Sequence, residues 1–190
     1  MTQAYHNIKV STRYTYTREA MLLISSTNQS YQTIETINQL IKPNFGMQID
    51  FSTELSKLIS QHLDETDKQE IYQALPNEVL DKVDHYQLIP TIVAKIERPL
   101  DDHLKNRLKK SETPHINHGN ELHVFLQGSG IFELKANNEK YTLEVKAGDA
   151  LYLDKDTEHS FRLGPDKTLM IASFHQDEFE KFHAQVEYLK

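Results

Sequence analysis

Two periodicities divide the chain. Up to about residue 110 the apolar positions recur mainly at helical spacing, and beyond it they alternate at short intervals. Ile34, Ile37 and Ile41 share one face of a segment running from Ser30 to Ile41, with Pro43 just past its end, which predicts a helix. Thr53 is placed to cap a second helix carrying Leu55, Leu58, Ile59 and Leu63. The stretch from Asp64 to Leu88 is also helical in pattern but broken at Pro76; Asn77 can cap its second piece, whose apolar face is Val79, Leu80 and Val83. Pro99 opens a short helix with Leu100, Leu104 and Leu108 on one side, and Arg107, Lys109 and Lys110 at its end suit the helix dipole. Strands are expected between these helices, at Tyr5 to Tyr16, Ala20 to Ser25, Met47 to Phe51 and Thr91 to Ile96, where β-branched and aromatic residues gather or alternate.

The back of the chain reads as six short strands at roughly ten-residue spacing: His123 to Gln127, Gly130 to Leu134, Lys140 to Lys146, Ala150 to Asp154, His159 to Leu163 and Thr168 to Phe174. Turn residues separate several of them, at Asn137-Asn138, Ala147-Gly148-Asp149 and Gly164-Pro165-Asp166. Such a series closes most economically into an antiparallel barrel or double-sheet jelly roll. A C-terminal helix is expected over Glu178 to Leu189. The fold class is therefore α+β, mainly β. Residues 1–190 form one domain, with an α-rich part at 1–110, a barrel core at 111–176 and a terminal helix at 177–190.

Composition narrows the function classes. A chain of 190 residues can bury about 70% of its unfolded surface. The net charge of −7, from 21 Lys and Arg against 28 Asp and Glu, argues against nucleic acid, whose phosphates need clustered cations. No apolar run near the N-terminus approaches the length of a signal core or a membrane span, so a cytoplasmic protein without membrane contact is expected, as a monomer or homodimer. With no cysteine, any metal site must use histidine, carboxylate or amide.

Those residue types concentrate in His115 to Gly130, HINHGNELHVFLQGSG. His115, Asn117, Glu121 and His123 fall on odd positions, and Leu122, Val124 and Leu126 on even ones. Because alternate side chains of a strand face opposite sides, one face carries polar ligand-type groups and the other an apolar packing surface. Imidazole with carboxylate suits divalent iron, nickel, manganese or zinc. His118 has the wrong parity and reaches the same face only through a bulge, which Gly119 would ease. His159 is a further ligand-type residue on a later strand. His6, His62, His85, His103, His175 and His183 are scattered and read as surface residues.

The spacings His115-x5-Glu121-x6-Gly128 and Gly148-x10-His159 resemble the two cupin motifs, and the region from about Tyr86 to Phe174 resembles acireductone dioxygenase. The runs HINHGNELHVFLQGSGIFEL and AGDALYLDKDTEHSFRL and the lead-in PLDDHLKNRLKKSETPH carry the likeness. The resemblance implies a cupin double-stranded β-helix and one Fe(II) or Ni(II) ion per chain. It also implies a small enediol substrate of the 1,2-dihydroxy-3-keto-5-methylthiopentene type and O2, in methionine salvage. Carried over position by position, it makes His115, Glu121 and His159 metal ligands. The family's second histidine falls on Asn117, leaving Asn117 or His118 to complete the set, and its substrate-holding arginine falls on His123. His123 is thus the position expected to meet substrate, or alternatively a fourth ligand. Phe125, Phe132 and Phe161 are expected to form an apolar wall. A carboxamide oxygen is a poorer donor than imidazole for such ions, so Asn117→His is expected to tighten binding. The departures at Asn117 and His123 leave a second reading, a non-catalytic or divergent cupin that binds another small molecule.

Overall fold

The computed structural model describes residues 23–25, 29–31, 33–42, 46–50, 68–97, 99–136, 139–177, 181 and 186–189. The strand expected at Tyr5 to Tyr16 and the helix expected from Thr53 lie outside these residues. The described elements are strands β1 (Leu23–Ser25), β2 (Ser30–Tyr31), β3 (Gly46–Asp50), β4 (Ile89–Ile96), β5 (His115–Ile116), β6 (Glu121–Ala136), β7 (Glu139–Lys146), β8 (Asp149–Leu153), β9 (Glu158–Leu163), β10 (Leu169–His175) and β11 (Glu187–Tyr188), with helices α1 (Ile34–Ile41), α2 (Lys68–Ala74), α3 (Asn77–His85) and α4 (Asp102–Ser111).

All pairings are antiparallel, and they form two sheets that share β6. One sheet runs β11-β5-β9-β6-β7-β1-β2; the other places β4 beside β10, β10 and β8 on either side of β6, and β3 beside β8. The two strands expected at His123 to Gln127 and Gly130 to Leu134 are one, because the glycines between them bend the chain instead of ending it. Gly128 has φ +74°, and its first half, Glu121 to Val124, pairs with β8 while Ser129 to Ala136 pairs with β7. A Cβ at Gly128 would lie 2.0 Å from the Thr168 carbonyl oxygen, so glycine serves both the positive φ and the close approach.

Alternation along β6 and β10 separates two cores. Phe125, Phe132, Leu134, Leu143, Leu151 and Leu153 pack between the sheets. Leu122, Val124 and Leu126, with Met170, Ala172 and Phe174, face the other way onto Ile71, Leu75, Val79 and Val83 of the α2–α3 region. The even-numbered apolar face of the first half of β6, Leu122, Val124 and Leu126, is thus buried away from the barrel interior, as the parity requires. Each such side chain stabilises by roughly 1.5–3 kcal/mol when fully buried, and a one-residue slip of β6 would turn these three into the polar end of the barrel and set Glu121 and His123 against the helices.

Local chemistry sets several element ends. α1 starts at Ile34, four residues later than expected, because Thr33 is its N-cap and Ser30–Tyr31 pair with β1. Asp101 caps α4 by accepting from the Leu104 amide at 2.7 Å. The helix expected over Glu178 to Leu189 does not reach that end: Glu187–Tyr188 are extended and pair with β5.

Candidate functional site

The two sheets bring the ligand-type residues of four strands to one end of the barrel interior. From one sheet, His115 of β5 lies directly across from His159 of β9, with ring centroids 4.4 Å apart. From the other, His175 of β10 pairs with Glu121 of β6, and Ser173 with His123. Asn117 sits in the loop between β5 and β6, where its backbone oxygen accepts from the Asp156 amide at 2.8 Å. Asn120 ties the same loop to its neighbours, its Oδ1 accepting from the Lys155 amide and its backbone oxygen from the Gln176 amide.

Glu121 is the hub. Its Oε1 accepts from Asn117 Nδ2 at 2.9 Å and lies 3.4 Å from His159 Nε2. Its Oε2 is 3.0 Å from His123 Nε2 and 3.9 Å from His175 Nε2. Burial by itself would push this carboxyl up, but the His159, His123 and His175 rings outweigh it and hold the group well below the usual carboxylate range. His115 is lowered too, which for a base favours the neutral form: burial first, then the neighbouring His159, brings it to about 4, so its ring stays neutral through ordinary pH.

The outer ring nitrogens fix how each imidazole is presented. His115 Nδ1 donates to the Thr113 carbonyl at 2.8 Å and His159 Nδ1 to the Thr157 carbonyl at 2.9 Å. A carbonyl only accepts, so in the neutral rings both Nε2 atoms carry lone pairs; this is the backbone anchoring that metal-bound histidines commonly have. Asn117 Oδ1 is buried with no hydrogen-bond partner, an oxygen donor that a cation would satisfy. Among the described residues no three His, Asp or Glu side chains are spaced as a finished metal shell; Asn117 and His123 are hydrogen-bonded to Glu121, and His159 and His175 stand off from it. The donor set nonetheless suits a divalent ion: two anchored imidazoles, one ionised carboxylate and one orphaned amide oxygen.

Aromatic side chains close the inner side. Phe132 stands 5.9 Å from the His123 ring and 6.1 Å from His159, and it meets Phe125 at 6.2 Å and Phe161 at 5.0 Å between centroids. Gly130 leaves room for the Phe161 ring, since a Cβ there would lie 2.2 Å from it.

Two sequence expectations are placed differently. His118 does not enter the site: its side chain is 47% exposed and bonds Asp156 at 2.7 Å, so no bulge turns it inward. His175, read as a surface residue, is 2% exposed and faces Glu121. β10 runs one residue further than its apolar pattern indicated, and His175 continues the inward parity of Ile171 and Ser173. That alternation was the available signal.

A two-sheet antiparallel barrel with a buried imidazole–carboxylate cluster at one end of its interior defines a cupin. Within that class, a model of the ARD/ARD' family matches residues 23–182, and the chain belongs to that family. It is 30% identical over 98 residues to the acireductone dioxygenase of Aquifex aeolicus, a match covering 50% of this chain and 52% of that protein. It is 26% identical over 111 residues to the acireductone dioxygenase of Saccharopolyspora erythraea, covering 57% of this chain and 58% of that one. The chain thus aligns with little more than half the length of these curated relatives. The solved acireductone dioxygenase from Bacillus anthracis, with a cadmium ion in its active centre, superposes with a TM-score of 0.68 at 16% identity, over 83% of this chain and 92% of that one.

Proposed function

We propose that this chain is a metal-dependent dioxygenase of the acireductone type. Its substrate would be an enediol such as a 1,2-dihydroxy-3-keto-5-methylthiopentene, with O2, in methionine salvage in the cytoplasm, as a monomer or homodimer. One observation carries the reading. His115 and His159 are both anchored through Nδ1 to backbone carbonyls, and they share the interior with an ionised Glu121 and the orphaned Asn117 Oδ1. The ion would be Fe(II) or Ni(II), held by His115, Glu121, His159 and the Asn117 amide. When bound, it supplies a Lewis acid and a template on which enediolate and O2 meet.

The remaining work belongs to the chain. Thr113 and Thr157 keep the two imidazoles in the ligating tautomer. Asn117 Nδ2 and His123 Nε2 each donate to a different oxygen of Glu121 and so fix its plane. Phe125, Phe132 and Phe161 keep water from the inner side of the site, which favours charge-dipole contacts there. No described helix is long and apolar enough to cross a membrane.

The second reading, a cupin that binds a different small molecule, is favoured by His123. Its Nε2–H is committed to Glu121 and its Nδ1 to Ser173 Oγ, so as held it does not offer the substrate anion what a guanidinium would. Anaerobic reconstitution of metal-stripped protein with Fe(II) or Ni(II), followed by O2 uptake with the enediol, separates the two. Turnover lost in His159→Ala supports the dioxygenase. Stoichiometric metal without turnover favours the binding protein.

A further inference from the structure

We propose that His175 is a metal ligand of this chain and supplies the imidazole that Asn117 does not. The inference rests on the metal-site reading above and adds to it a residue on a strand of the opposite sheet.

The hydrogen bonds behind His175 orient its ring, with Nδ1 turned to Thr91 and Nε2 turned to Glu121. Thr91 Oγ1 donates its single proton to the Ser173 carbonyl at 2.9 Å. With its proton there, it accepts from His175 Nδ1, the tautomer in which Nε2 presents a lone pair to the site. In the neutral ring Nε2 is then an acceptor, and it faces Glu121 Oε2 at 3.9 Å, beyond hydrogen-bond range. In that tautomer a lone pair and an ionised carboxylate face each other in a buried site, an arrangement that a cation between them stabilises. Two ligand bonds of about 2.0–2.2 Å reach across at most ~4.2 Å. The 3.9 Å from His175 to Glu121 Oε2 and the 3.4 Å from His159 to Glu121 Oε1 each fall within that span, one on either oxygen of the carboxylate.

The neighbouring His123 makes the contrast. Its Nε2 lies 3.0 Å from the same Oε2 and must donate to it, so that nitrogen holds a proton where a ligand needs a lone pair. His123 orients the carboxylate, whereas His175 is poised to share its ion. Asn117 has the orienting role on the other oxygen, through Nδ2. With His175 taking the place given above to the Asn117 amide oxygen, the proposed ligand set becomes His115, Glu121, His159 and His175, with Thr91 as the positioning residue behind the last.

The test is metal binding, independent of turnover. Ni(II) and Fe(II) are titrated into the metal-stripped full chain, with circular dichroism and thermal unfolding confirming that each variant is folded. The parent is expected to bind one ion, His175→Gln to bind at least about tenfold more weakly, and Thr91→Val to fall about 10-fold or more through loss of the Nδ1 acceptor. Asn117→His placed in the His175→Gln background is expected to restore the affinity, and X-ray absorption of the Ni(II) form to lose one imidazole in His175→Gln. Parent-like affinity in His175→Gln, alongside loss in His115→Ala, overturns the role of His175 and leaves the metal site standing. A parent that binds neither ion overturns both.

Discussion

The two walls of the site hold their histidines by different means. On the β5–β9 side, His115 and His159 donate to backbone carbonyls two residues before each, Thr113 and Thr157. On the β6–β10 side, His123 and His175 lean on side-chain hydroxyls, those of Ser173 and Thr91. A carbonyl can only accept, so the first wall has its tautomers written into the backbone. A hydroxyl both donates and accepts, so the second wall takes whichever tautomer the wider network dictates. One wall is fixed by local sequence. The other depends on β4, more than eighty residues away along the chain from β10.

Glu121 stands between the walls, and removing its charge should have the largest effect. Glu121→Gln is expected to lower Ni(II) affinity by at least about 100-fold, more than the typical loss of a supporting residue, as measured by competition with a chelator. Retained affinity would mean that the imidazoles alone hold the ion.

Acid should act on both walls in the same direction. The folded His115 titrates near 4 while an unfolded histidine titrates near its ordinary 6.5, so between those values only the unfolded chain takes up the proton. Stability of the metal-free protein should therefore fall as pH drops through that window, by on the order of 3 kcal/mol when complete. Glu121, depressed well below its ordinary 4.5, adds a further loss below that pH. Urea unfolding between pH 7 and 4 measures the first part; a flat profile would show that His115 takes up its proton alike in the folded and unfolded chain.

The strand that joins the walls offers the next test. Gly128→Ala demands a positive φ from alanine and drives its Cβ against Thr168, and a loss of about 2–3 kcal/mol is expected by denaturant midpoint. A smaller effect is expected from Ser173→Ala, which frees His123 Nδ1: metal affinity should change by only about 2–3-fold, since an orienting contact is weakened rather than a ligand removed. A tenfold loss there would make the second wall as rigid as the first. His118→Ala, outside both walls, should leave metal affinity unchanged.

What the sequence made legible follows the same division. The parity of His115, Glu121 and His159 is a local property, and the structure puts all three in the barrel interior. Leu122, Val124 and Leu126 were legible for the same reason, each packed on the helices. His118 offered two routes, and the structure leaves it outside because a bond to Asp156 from the β8–β9 turn holds it there, a partner 38 residues distant. His175 was missed because nothing apolar follows Phe174 to mark the strand as continuing, although the alternation of Ile171 and Ser173 runs on to it. The junction of the two β6 halves was hidden likewise: Gly128-Ser129-Gly130 reads as a turn until the strands on both sides hold it extended.

β6 is hydrogen-bonded to β8 and β10 through its first half and to β7 and β9 through its second. A strand shared in this way leaves neither sheet free to open alone, so the amides of His123 to Leu126 should exchange with solvent only when the whole barrel unfolds. Closing the barrel also joins β4 to β10 across a long stretch of chain, a non-local contact of the kind that slows folding. An ion that binds only the finished site then slows exchange of these amides by the factor 1 + [M]/Kd, so the occupancy of the metal can be read from the backbone of one strand.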